Sequence, residues 1–490
     1  MKQLKFIFLG IFIIWCSIPA IAAGRKDTTV EQPRVSVTTH QGVFNGKKVS
    51  YTATVQETFL SLNKKVSTGS SIITTSYVQK DPGSQAARPV IFIFNGGPGA
   101  SSSPLHMHAL GPYRIVTDPK THVQSIANNP LSILDAADLV FIDPVGTGYT
   151  KITDSVTTKA HWDVEQDARA IIDLIRLWVQ TNNRADSPVY LCGQSYGTTR
   201  AAEILGLAPD LNLSGVLFLS PMFDRASQAF VPGNDIPYLL YLPTMASVAW
   251  YYKKGNFDTQ TEGDRFNEAV KFSQNEYAAA LMKGRDITLA EKKRVASRLA
   301  AITGLSTKQY LDSNLRISNQ AFMSLLLASK DERLGQLDGR ISTTIKPVSA
   351  TPSPYNDPSF ASTINTSVVN PISAYFTDSL QFPAKGKYVS LNLKANFNWT
   401  WPASNGVIEY WTVAPYVAVA MQNHPKLRLM VIGGYFDLAT PLYATMYTLD
   451  HVGADFKRIT FLNFSSGHDT FDTEENLKLL TDKVRQFVLK

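Results

Sequence analysis

The sequence predicts an α/β fold in which a mainly parallel central sheet carries helices on both faces. Short apolar runs recur along the chain, and each is followed by turn residues, as expected of strands that are buried on both faces. Between these runs, apolar residues recur at steps of three and four positions, as in helices that bury one stripe. Strands that alternate with helices in this way are typical of a sheet covered on two sides.

The first segment, residues 1–22, is predicted to be a cleaved secretory signal. Two lysines precede an apolar run from residue 6 to residue 14, and Ala20 and Ala22 provide an Ala-x-Ala cleavage site. Cleavage removes those two lysines and no acidic residue, so the formal charge falls from +7 to +5. We therefore expect a secreted or periplasmic protein.

The composition is that of a globular protein and argues against several classes of function. The chain has 490 residues, of which 44% are hydrophobic and 18% charged, so it can bury a large core. No run of Lys and Arg indicates a nucleic-acid partner. After the signal, no stretch approaches the roughly 18 apolar residues that a membrane span needs, so we expect a soluble mature protein. Signal cleavage leaves Cys192 alone, so the fold must depend on its core rather than on an internal disulfide.

The elements follow in chain order, beginning with a β-rich stretch. Residues 34–80 alternate apolar and polar side chains in places, and the Asn45-Gly46 step favours a type I′ hairpin turn. Apolar runs then predict the strands of the core, namely "PVIFIF", "DLVFID", "VYLCG", "GVLFLSP", "LRLMVIGG" and "RITFLNF". Helical spacing of apolar residues begins at Val164 and continues to Val179, and a second such stripe runs from Leu477 to Val488.

Residues 226–400 interrupt this alternation and are predicted to be a mostly helical insertion that forms a lid or cap. They contain helical patterns such as "LAEKKRVASRLAAITGL", followed by a stretch rich in Pro, Ser and Thr that is typical of a loop. The core of the fold is then expected to comprise residues 34–225 and 401–490.

The stretch "GQSYGTT", residues 193–199, places Ser195 between two glycines, after a predicted strand and before a predicted helix. Gly-x-Ser-x-Gly in this setting is the nucleophile-elbow pattern, in which a sharp turn lifts the serine out of the sheet. A serine hydroxyl near neutral pH needs a base that is itself oriented by an acid. We predict that Ser195 is a nucleophile; the alternative is a small residue in a tight bend.

Candidates for the acid and the base follow the last two predicted strands. Asp437 comes after the strand "LRLMVIGG", and His468 comes after the strand "RITFLNF". Loops at the carboxyl ends of strands are where the sites of open α/β sheets gather. Asp469 and Asp472 are rival acids, but they lie on the histidine's own loop, so Asp437 is preferred. The alternatives are a helix cap or turn residue for Asp437 and a surface loop position for His468.

A glycine-rich loop, "NGGPGASSS" at residues 95–103, follows the strand "PVIFIF". It lacks the features of a P-loop and the spacing of a dinucleotide fingerprint, so phosphate binding is not predicted. Glycine lets a backbone N–H approach a developing negative charge, and the residue after the nucleophile, Tyr196, supplies a second N–H for an oxyanion hole. His106 and His108 follow the loop, but no third ligand lies at a recognisable spacing, so no metal and no cofactor is predicted.

A set of motifs, in this order and near these spacings, resembles the serine carboxypeptidase family, especially its bacterial secreted branch. The motifs are "NGGPGASSS…ALGP", "NNPLSILDAADLVFIDPVGTGYT", "GQSYGTTRAAEI", "GGYFDLATP" and "GHDTF". The similarity extends from about residue 40 to the end of the chain. It implies an α/β-hydrolase fold, a peptide substrate with a free C-terminus, and removal of the last residue through an acyl-enzyme.

The resemblance also assigns roles to three groups of residues. The catalytic triad corresponds to Ser195, Asp437 and His468. The oxyanion donors correspond to Gly97 and Tyr196. The group that holds the terminal carboxylate of the substrate corresponds to Asn95, Gly96 and Gln194.

The chain departs from the family's pattern at the carboxylate-binding group. The family usually has a glutamate before the serine, often sharing a proton with a second glutamate, whereas these positions hold Gln194 and Ala109 here. A glutamate must be protonated to donate to a carboxylate, but an amide donates at any pH, so a less acidic activity optimum is expected. Asp469 stands where an apolar residue commonly follows the histidine. These changes leave open an esterase or acyltransferase on the same machinery, or a binding protein on a retired hydrolase scaffold.

Overall fold

The computed structural model describes residues 31–80, 83, 88–118, 120–256, 261–344, 357, 371–402 and 410–490. The predicted secretory signal, residues 1–22, lies outside the described residues and stays a prediction. The strands are β1 (Val35–Phe44), β2 (Lys47–Leu62), β3 (Lys65–Gln79), β4 (Val90–Phe94), β5 (Tyr113–Thr117), β6 (Gln124–Asn128), β7 (Asp138–Asp143), β8 (Val189–Gln194), β9 (Gly215–Leu219), β10 (Glu332–Leu334), β11 (Ser342–Thr344), β12 (Arg428–Gly434) and β13 (Ile459–Phe464). The α-helices are α1 (Ser155–Ala160), α2 (Val164–Thr181), α3 (Tyr196–Leu207), α4 (Ile236–Tyr251), α5 (Glu262–Phe272), α6 (Ala278–Met282), α7 (Leu289–Thr303), α8 (Thr307–Asp312), α9 (Asn319–Leu325), α10 (Pro371–Ala374), α11 (Leu393–Phe397), α12 (Ala414–Asn423), α13 (Leu442–His451) and α14 (Glu474–Val488).

The main sheet of the described chain has nine strands in the order β1-β2-β3-β7-β4-β8-β9-β12-β13. The strands from β7 to β13 in this order all pair in parallel, whereas β1, β2 and β3 pair antiparallel and β3 joins β7 antiparallel. Parallel neighbours end at the same edge, so the loops after β4, β8, β9, β12 and β13 gather there. The predicted α/β-hydrolase fold is confirmed.

The first hairpin shows how local sequence sets the register of the antiparallel part. Asn45 and Gly46 have φ angles of 48° and 76°, as a type I′ turn requires at its two central positions. Phe44 pairs with Lys47 across this turn. The alternation predicted for this region is present, because every second residue of the middle of β2 is buried.

Helices cover both faces of the sheet, and alternate residues of one strand point to different cores. In β4, Val90, Phe92 and Phe94 belong to one hydrophobic cluster, and Ile91 and Ile93 belong to another. The predicted stripe of α2 packs into the first cluster, and that of α14 packs into the second. Both stripes match the helical periodicity expected from the sequence.

Helices α4 to α9 pack around a hydrophobic cluster of their own within residues 236–334. Phe436 and Leu438, which come from the loop after β12, complete this cluster. Further along, Tyr375 and Phe376 pack against the second face of the main sheet instead. The domain boundaries at residues 225/226 and 400/401 stay a prediction.

Across the portions of the chain described here, no helix combines the length and the apolar character needed to cross a membrane.

Candidate active site

Ser195 lies on a sharp turn between β8 and α3. Its φ of 58° and ψ of −129° are unusual for a residue with a side chain, and such strain is the signature of a nucleophile elbow. Ser195 is half-buried, whereas its neighbours on both sides are fully buried. A Cβ on Gly197 would lie 2.9 Å from the Phe94 carbonyl oxygen, so glycine is needed where the elbow meets the end of β4.

His468 and Asp437 are joined by a short hydrogen bond. The distance from His468 Nδ1 to Asp437 Oδ2 is 2.7 Å, and the Asp437 side chain is completely buried. Asp437 Oδ1 accepts the backbone N–H groups of Ala439, at 2.8 Å, and Thr440, at 3.0 Å. The Thr440 hydroxyl donates to Oδ2 at 2.7 Å. These donors hold the carboxylate in one orientation, with Oδ2 at the imidazole.

The charges around His468 determine its proton affinity. Burial alone lowers the pKa of the imidazole, but the charge and hydrogen bond of Asp437, together with the charge of Asp469, outweigh it. The pKa of His468 is therefore raised above its ordinary value of 6.5. A base with a raised pKa holds an abstracted proton more firmly, but is neutral only at higher pH.

The backbone of His468 is tied to the elbow through two side chains. Its carbonyl oxygen accepts the Ser220 hydroxyl at 2.7 Å and the Gln194 amide at 3.2 Å. Gln194 immediately precedes Ser195, and the Ser195 N–H donates to the Leu219 carbonyl at 2.9 Å. The serine and the histidine, 273 positions apart in the sequence, are thus brought to one edge of the sheet.

The glycine-rich loop after β4 packs directly on the elbow. A Cβ on Gly96 would lie 2.7 Å from the Gln194 carbonyl oxygen and 2.8 Å from the Gly197 nitrogen. Gly97 is exposed and has a φ of 98°, a conformation that favours glycine. The backbone nitrogens of Tyr196 and Gly197, at the start of α3, therefore lie next to the loop that carries Gly97.

Two further contacts hold this loop, and sequence reasoning did not assign them. Arg200 donates to the Asn95 carbonyl oxygen at 2.7 Å and to Asp167 Oδ2 at 2.6 Å, and the Tyr196 hydroxyl donates to the same carboxylate at 3.1 Å. Arg200 and Asp167 are both buried. Asp167 interrupts the apolar stripe of α2, and this charged residue on a buried face was the available signal.

Asp143, at the end of β7, holds the other side of the loop. Its Oδ1 accepts the Ser102 N–H at 2.8 Å and the Ser102 hydroxyl at 2.7 Å, while Oδ2 accepts the Tyr388 hydroxyl at 2.9 Å. Burial, opposed by these hydrogen bonds, raises the pKa of Asp143. The loop is therefore fixed by buried polar groups at both of its ends.

Asn95, Gln194 and Asp469 form a chain of hydrogen bonds beside the elbow. Asn95 Nδ2 donates to Gln194 Oε1 at 2.5 Å, and Gln194 Nε2 donates to Asp469 Oδ1 at 2.7 Å. Asn95 Oδ1 accepts the Leu105 N–H at 3.2 Å. Asn95 and Gln194 are buried, whereas Asp469 is exposed. Asp469 thus bonds the glutamine, and the imidazole Nδ1 is left to Asp437.

The remaining candidates have other surroundings. His106 is buried, stacks on Phe141 and contacts the Tyr77 hydroxyl at 2.7 Å; burial lowers its pKa to about 3. His108, in contrast, is exposed. Where the structure describes the chain, no group of three or more His, Cys, Asp or Glu side chains could hold a metal ion. Cys192 is buried within β8, and burial raises the pKa of its thiol to about 12, so it is not a reactive thiolate.

The sequence also matches known proteins. A profile of the serine carboxypeptidase family matches residues 76–460. Serine carboxypeptidase-like 36 of Arabidopsis thaliana is 29% identical over 149 residues, which cover 29% of this chain and 30% of that protein. The pheromone-processing carboxypeptidase KEX1 of Tuber melanosporum is 31% identical over 166 residues, which cover 32% of this chain and 24% of that protein. The matched regions thus span less than one third of either relative.

The fold has a counterpart among solved structures. The crystal structure of KEX1(delta)p, a prohormone-processing carboxypeptidase from Saccharomyces cerevisiae, superimposes with a TM-score of 0.53 at 16% identity. The superposition covers 88% of this chain and 91% of that one. At this level of identity the likeness supports the fold.

Proposed function

Because the chain belongs to the serine carboxypeptidase family, we propose that it is a secreted or periplasmic enzyme that removes the C-terminal residue of peptides. The observation that carries this proposal is the 2.7 Å hydrogen bond between His468 and the buried Asp437, next to a strained serine elbow. A serine on such a turn, a histidine and a buried acid are the parts that acyl transfer needs. The bacterial branch stays a prediction.

In the first half of the proposed reaction, Ser195 Oγ attacks the carbonyl carbon of the last peptide bond. His468 Nε2 takes the hydroxyl proton, since Nδ1 is bonded to Asp437. The N–H groups of Gly97 and Tyr196 receive the oxyanion of the tetrahedral intermediate. The C–N bond then breaks, His468 gives its proton to the leaving amine, and the acyl group remains as an ester on Ser195.

In the second half, water replaces the departed amino acid. His468 takes a proton from the water as its oxygen attacks the ester carbonyl, and the second tetrahedral intermediate forms in the same oxyanion hole. The ester C–O bond breaks, the proton returns to Ser195 Oγ, and the shortened peptide leaves as a carboxylic acid. Asp437 stays ionised and stabilises the imidazolium that forms in each half.

Asn95, Gly96 and Gln194 are proposed to hold the terminal carboxylate of the substrate. One N–H of the Asn95 amide donates to Gln194, so the other N–H is available to a ligand. Both N–H groups of Gln194 Nε2 already donate, one to Asp469 and one to the His468 carbonyl oxygen. Binding a carboxylate to Gln194 therefore requires it to release one of these partners.

A second candidate function is favoured because the amide of Gln194 is already hydrogen-bonded and because the negative charge of Asp469 lies beside it. An esterase or acyltransferase would use the same serine, histidine and acid but would not need to bind a carboxylate. The two candidates differ in whether a free C-terminal acid is required.

Blocked dipeptides that differ only in a free or an amidated C-terminus test the proposal. A carboxypeptidase should release the amino acid from the free acid with a kcat/KM at least tenfold higher than from the amide. Equal rates on both, or cleavage of simple esters alone, would indicate the second candidate. Ser195→Ala is the control, and it should also abolish labelling by a fluorophosphonate.

A further inference from the structure

A polar cavity of about 490 Å³ lies between α4, the start of α9 and the loop that carries Asp437. The lining includes Arg225, which follows β9, Tyr238 and Tyr241 from α4, and Ala439 from the acid's loop. The Tyr241 hydroxyl donates to the Ala439 carbonyl at 3.3 Å, and the Ala439 N–H donates to Asp437. One residue of the lining, Ala439, therefore bonds the proposed catalytic acid directly. The volume of the cavity is within the range of ligand pockets.

Several polar groups of the lining have no partner within the chain as described. The guanidinium of Arg225, the amide of Gln228 and the hydroxyl of Tyr238 make no hydrogen bond or ion pair to the described residues. Other polar groups of the wall are satisfied: Arg316, for example, donates to both oxygens of Asp235, at 2.6 and 2.7 Å. The groups without partners therefore all come from residues 225–238.

Arg225 is exposed and lines the cavity, and among the described residues no acidic side chain pairs with its guanidinium. The neighbouring carboxylate of Asp224 is buried and accepts the Ser227 N–H at 2.6 Å, the Ser227 hydroxyl at 3.0 Å and the Thr448 hydroxyl at 2.7 Å. The carboxylate of Asp235 forms an ion pair with Arg316. A free guanidinium offers a fork of N–H donors whose geometry matches a carboxylate.

The apolar part of the lining is aromatic. Phe230 packs edge-on against Tyr238 and Tyr241, with ring centroids 5.0 and 4.9 Å apart. These rings supply a rigid surface for the methylene groups of a side chain, while Arg225 and Gln228 supply donors for its end. A short aliphatic chain that ends in a carboxylate fits this combination.

We propose that the cavity is a subsite for an acidic side chain of the peptide substrate, on the acyl side of the bond that is cleaved. This inference rests on the proposed function, because a carboxypeptidase releases one residue and keeps the rest of the peptide on the acyl side. The proposed carboxylate-binding group, Asn95, Gly96 and Gln194, contributes nothing to the cavity wall. The preferred substrates are then acidic peptides.

Paired peptides test this subsite. N-acetylated hexapeptides that differ only by Glu or Gln at one acyl-side position are hydrolysed by the wild type, and the ratio of kcat/KM for Glu over Gln is measured at each position. We expect a ratio of about ten at one position, and a ratio near one at that position in Arg225→Gln. Arg225→Glu should instead favour Lys there. The ratio within one variant does not depend on the folded fraction of that variant.

The matched control is Arg285→Gln, since Arg285 is almost fully exposed and does not line the cavity. It should keep the wild-type ratio. The proposal is overturned if no position prefers Glu, if Arg225→Gln keeps the preference, or if Arg285→Gln also loses it.

Binding to Ser195→Ala separates this proposal from the proposed function. Fluorescence anisotropy of labelled Glu and Gln peptides should give a Kd about tenfold lower for Glu, and the difference should vanish when Arg225→Gln is added. If this holds while the wild type cleaves neither peptide, the acid-binding part of the cavity proposal stands, and its role as a substrate subsite fails together with the carboxypeptidase proposal. If inorganic phosphate displaces the Glu peptide at an equal concentration, the cavity is a small-anion site and the peptide proposal is wrong.

Discussion

Two carboxylates act on His468 from different places, and they are not equivalent. Asp437 is buried, bonds the imidazole directly and receives three donors from its own loop. Asp469 is exposed, bonds Gln194 and reaches His468 through its charge alone. The first therefore sets the tautomer of the imidazole, and the second adjusts its proton affinity.

Asp437→Asn should lower kcat by about 10⁴-fold with little change in KM, because the amide no longer stabilises the imidazolium and can favour the wrong tautomer. Steady-state kinetics on a blocked dipeptide check this. Asp472→Asn is the matched control, since Asp472 lies on the histidine's loop but pairs with Arg340. A comparable loss in both variants would contradict the assignment of the acid.

Asp469→Asn should make the enzyme bind free-acid peptides more tightly, with KM falling about threefold. The asparagine keeps an acceptor for Gln194 and removes a negative charge beside the proposed carboxylate site. Amidated peptides, which carry no C-terminal charge, are the control and should show no such change.

The same substitution should shift the pH profile. His468 must be neutral to act as a base, so kcat/KM rises with pH through its raised pKa, above the ordinary 6.5. Removing the charge of Asp469 lowers that pKa, so the acidic limb of the profile should move to lower pH. An unchanged limb in Asp469→Asn would show that this charge does not reach the imidazole.

At the scale of elements, α3 does more than present the serine. Its second turn carries Arg200, which bonds Asp167 of α2 and the Asn95 carbonyl at the end of β4. One buried guanidinium thus links the elbow helix, a flanking helix and the proposed oxyanion loop. We propose that Arg200 is a positioning residue, because it is buried and bonds the Asn95 carbonyl oxygen at the start of this loop.

Arg200→Leu should lower the free energy of unfolding by about 3 kcal/mol, since it leaves Asp167 buried and unpaired. Arg169→Leu, which breaks the exposed Glu165–Arg169 pair on α2, should cost less than about 0.5 kcal/mol. Urea unfolding measures both. Adding Asp167→Leu to Arg200→Leu should restore part of the stability, and a fully additive loss would contradict a coupled pair.

At the scale of the whole molecule, an ion pair adds to the ladder that holds β1 on β2, since Arg34, just before β1, pairs with the buried Glu57 of β2. Arg34 donates to both oxygens of Glu57 and to the Tyr149 carbonyl. Burial raises the pKa of Glu57, but the hydrogen bonds from Arg34 and Ser71 outweigh it, and the pKa is lowered below 4.5. The pair therefore stabilises the fold fully above pH 4.5, and this contribution is lost as pH falls through the lowered pKa.

Glu57→Gln should be less stable than the wild type by about 1 kcal/mol at pH 7. The difference should shrink as the pH is lowered below 4.5, because the wild-type carboxyl is then protonated as well. Thermal unfolding of both proteins between pH 3 and pH 7 provides the comparison. A difference that stays constant over this range would mean that the charge of Glu57 contributes nothing.

Features set by neighbouring residues could be predicted from the sequence. The apolar runs predicted the core strands, and the Asn45-Gly46 step predicted the first hairpin. The apolar stripes of α2 and α14 predicted that helices cover both faces of the sheet. Asp437 and His468, which the structure joins by a hydrogen bond, could be proposed as acid and base because each follows a strand. The hydrogen-bond partners of Arg200 and Gln194 could not be predicted, because these partners lie far away in the sequence and are brought close only by tertiary packing. The same holds for Tyr375 and Phe376, which pack on the main sheet from within the predicted insertion.

Phe436 and Leu438 belong to the hydrophobic cluster of α4 to α9, and Asp437 stands between them. The acid is thus held in place from both sides by a layer of the protein that contains none of the other proposed catalytic residues. Those helices cannot be treated as a module to be shortened, exchanged or transplanted between relatives without disturbing the acid. Engineering of substrate preference in this region should therefore leave the contacts of Phe436 and Leu438 intact.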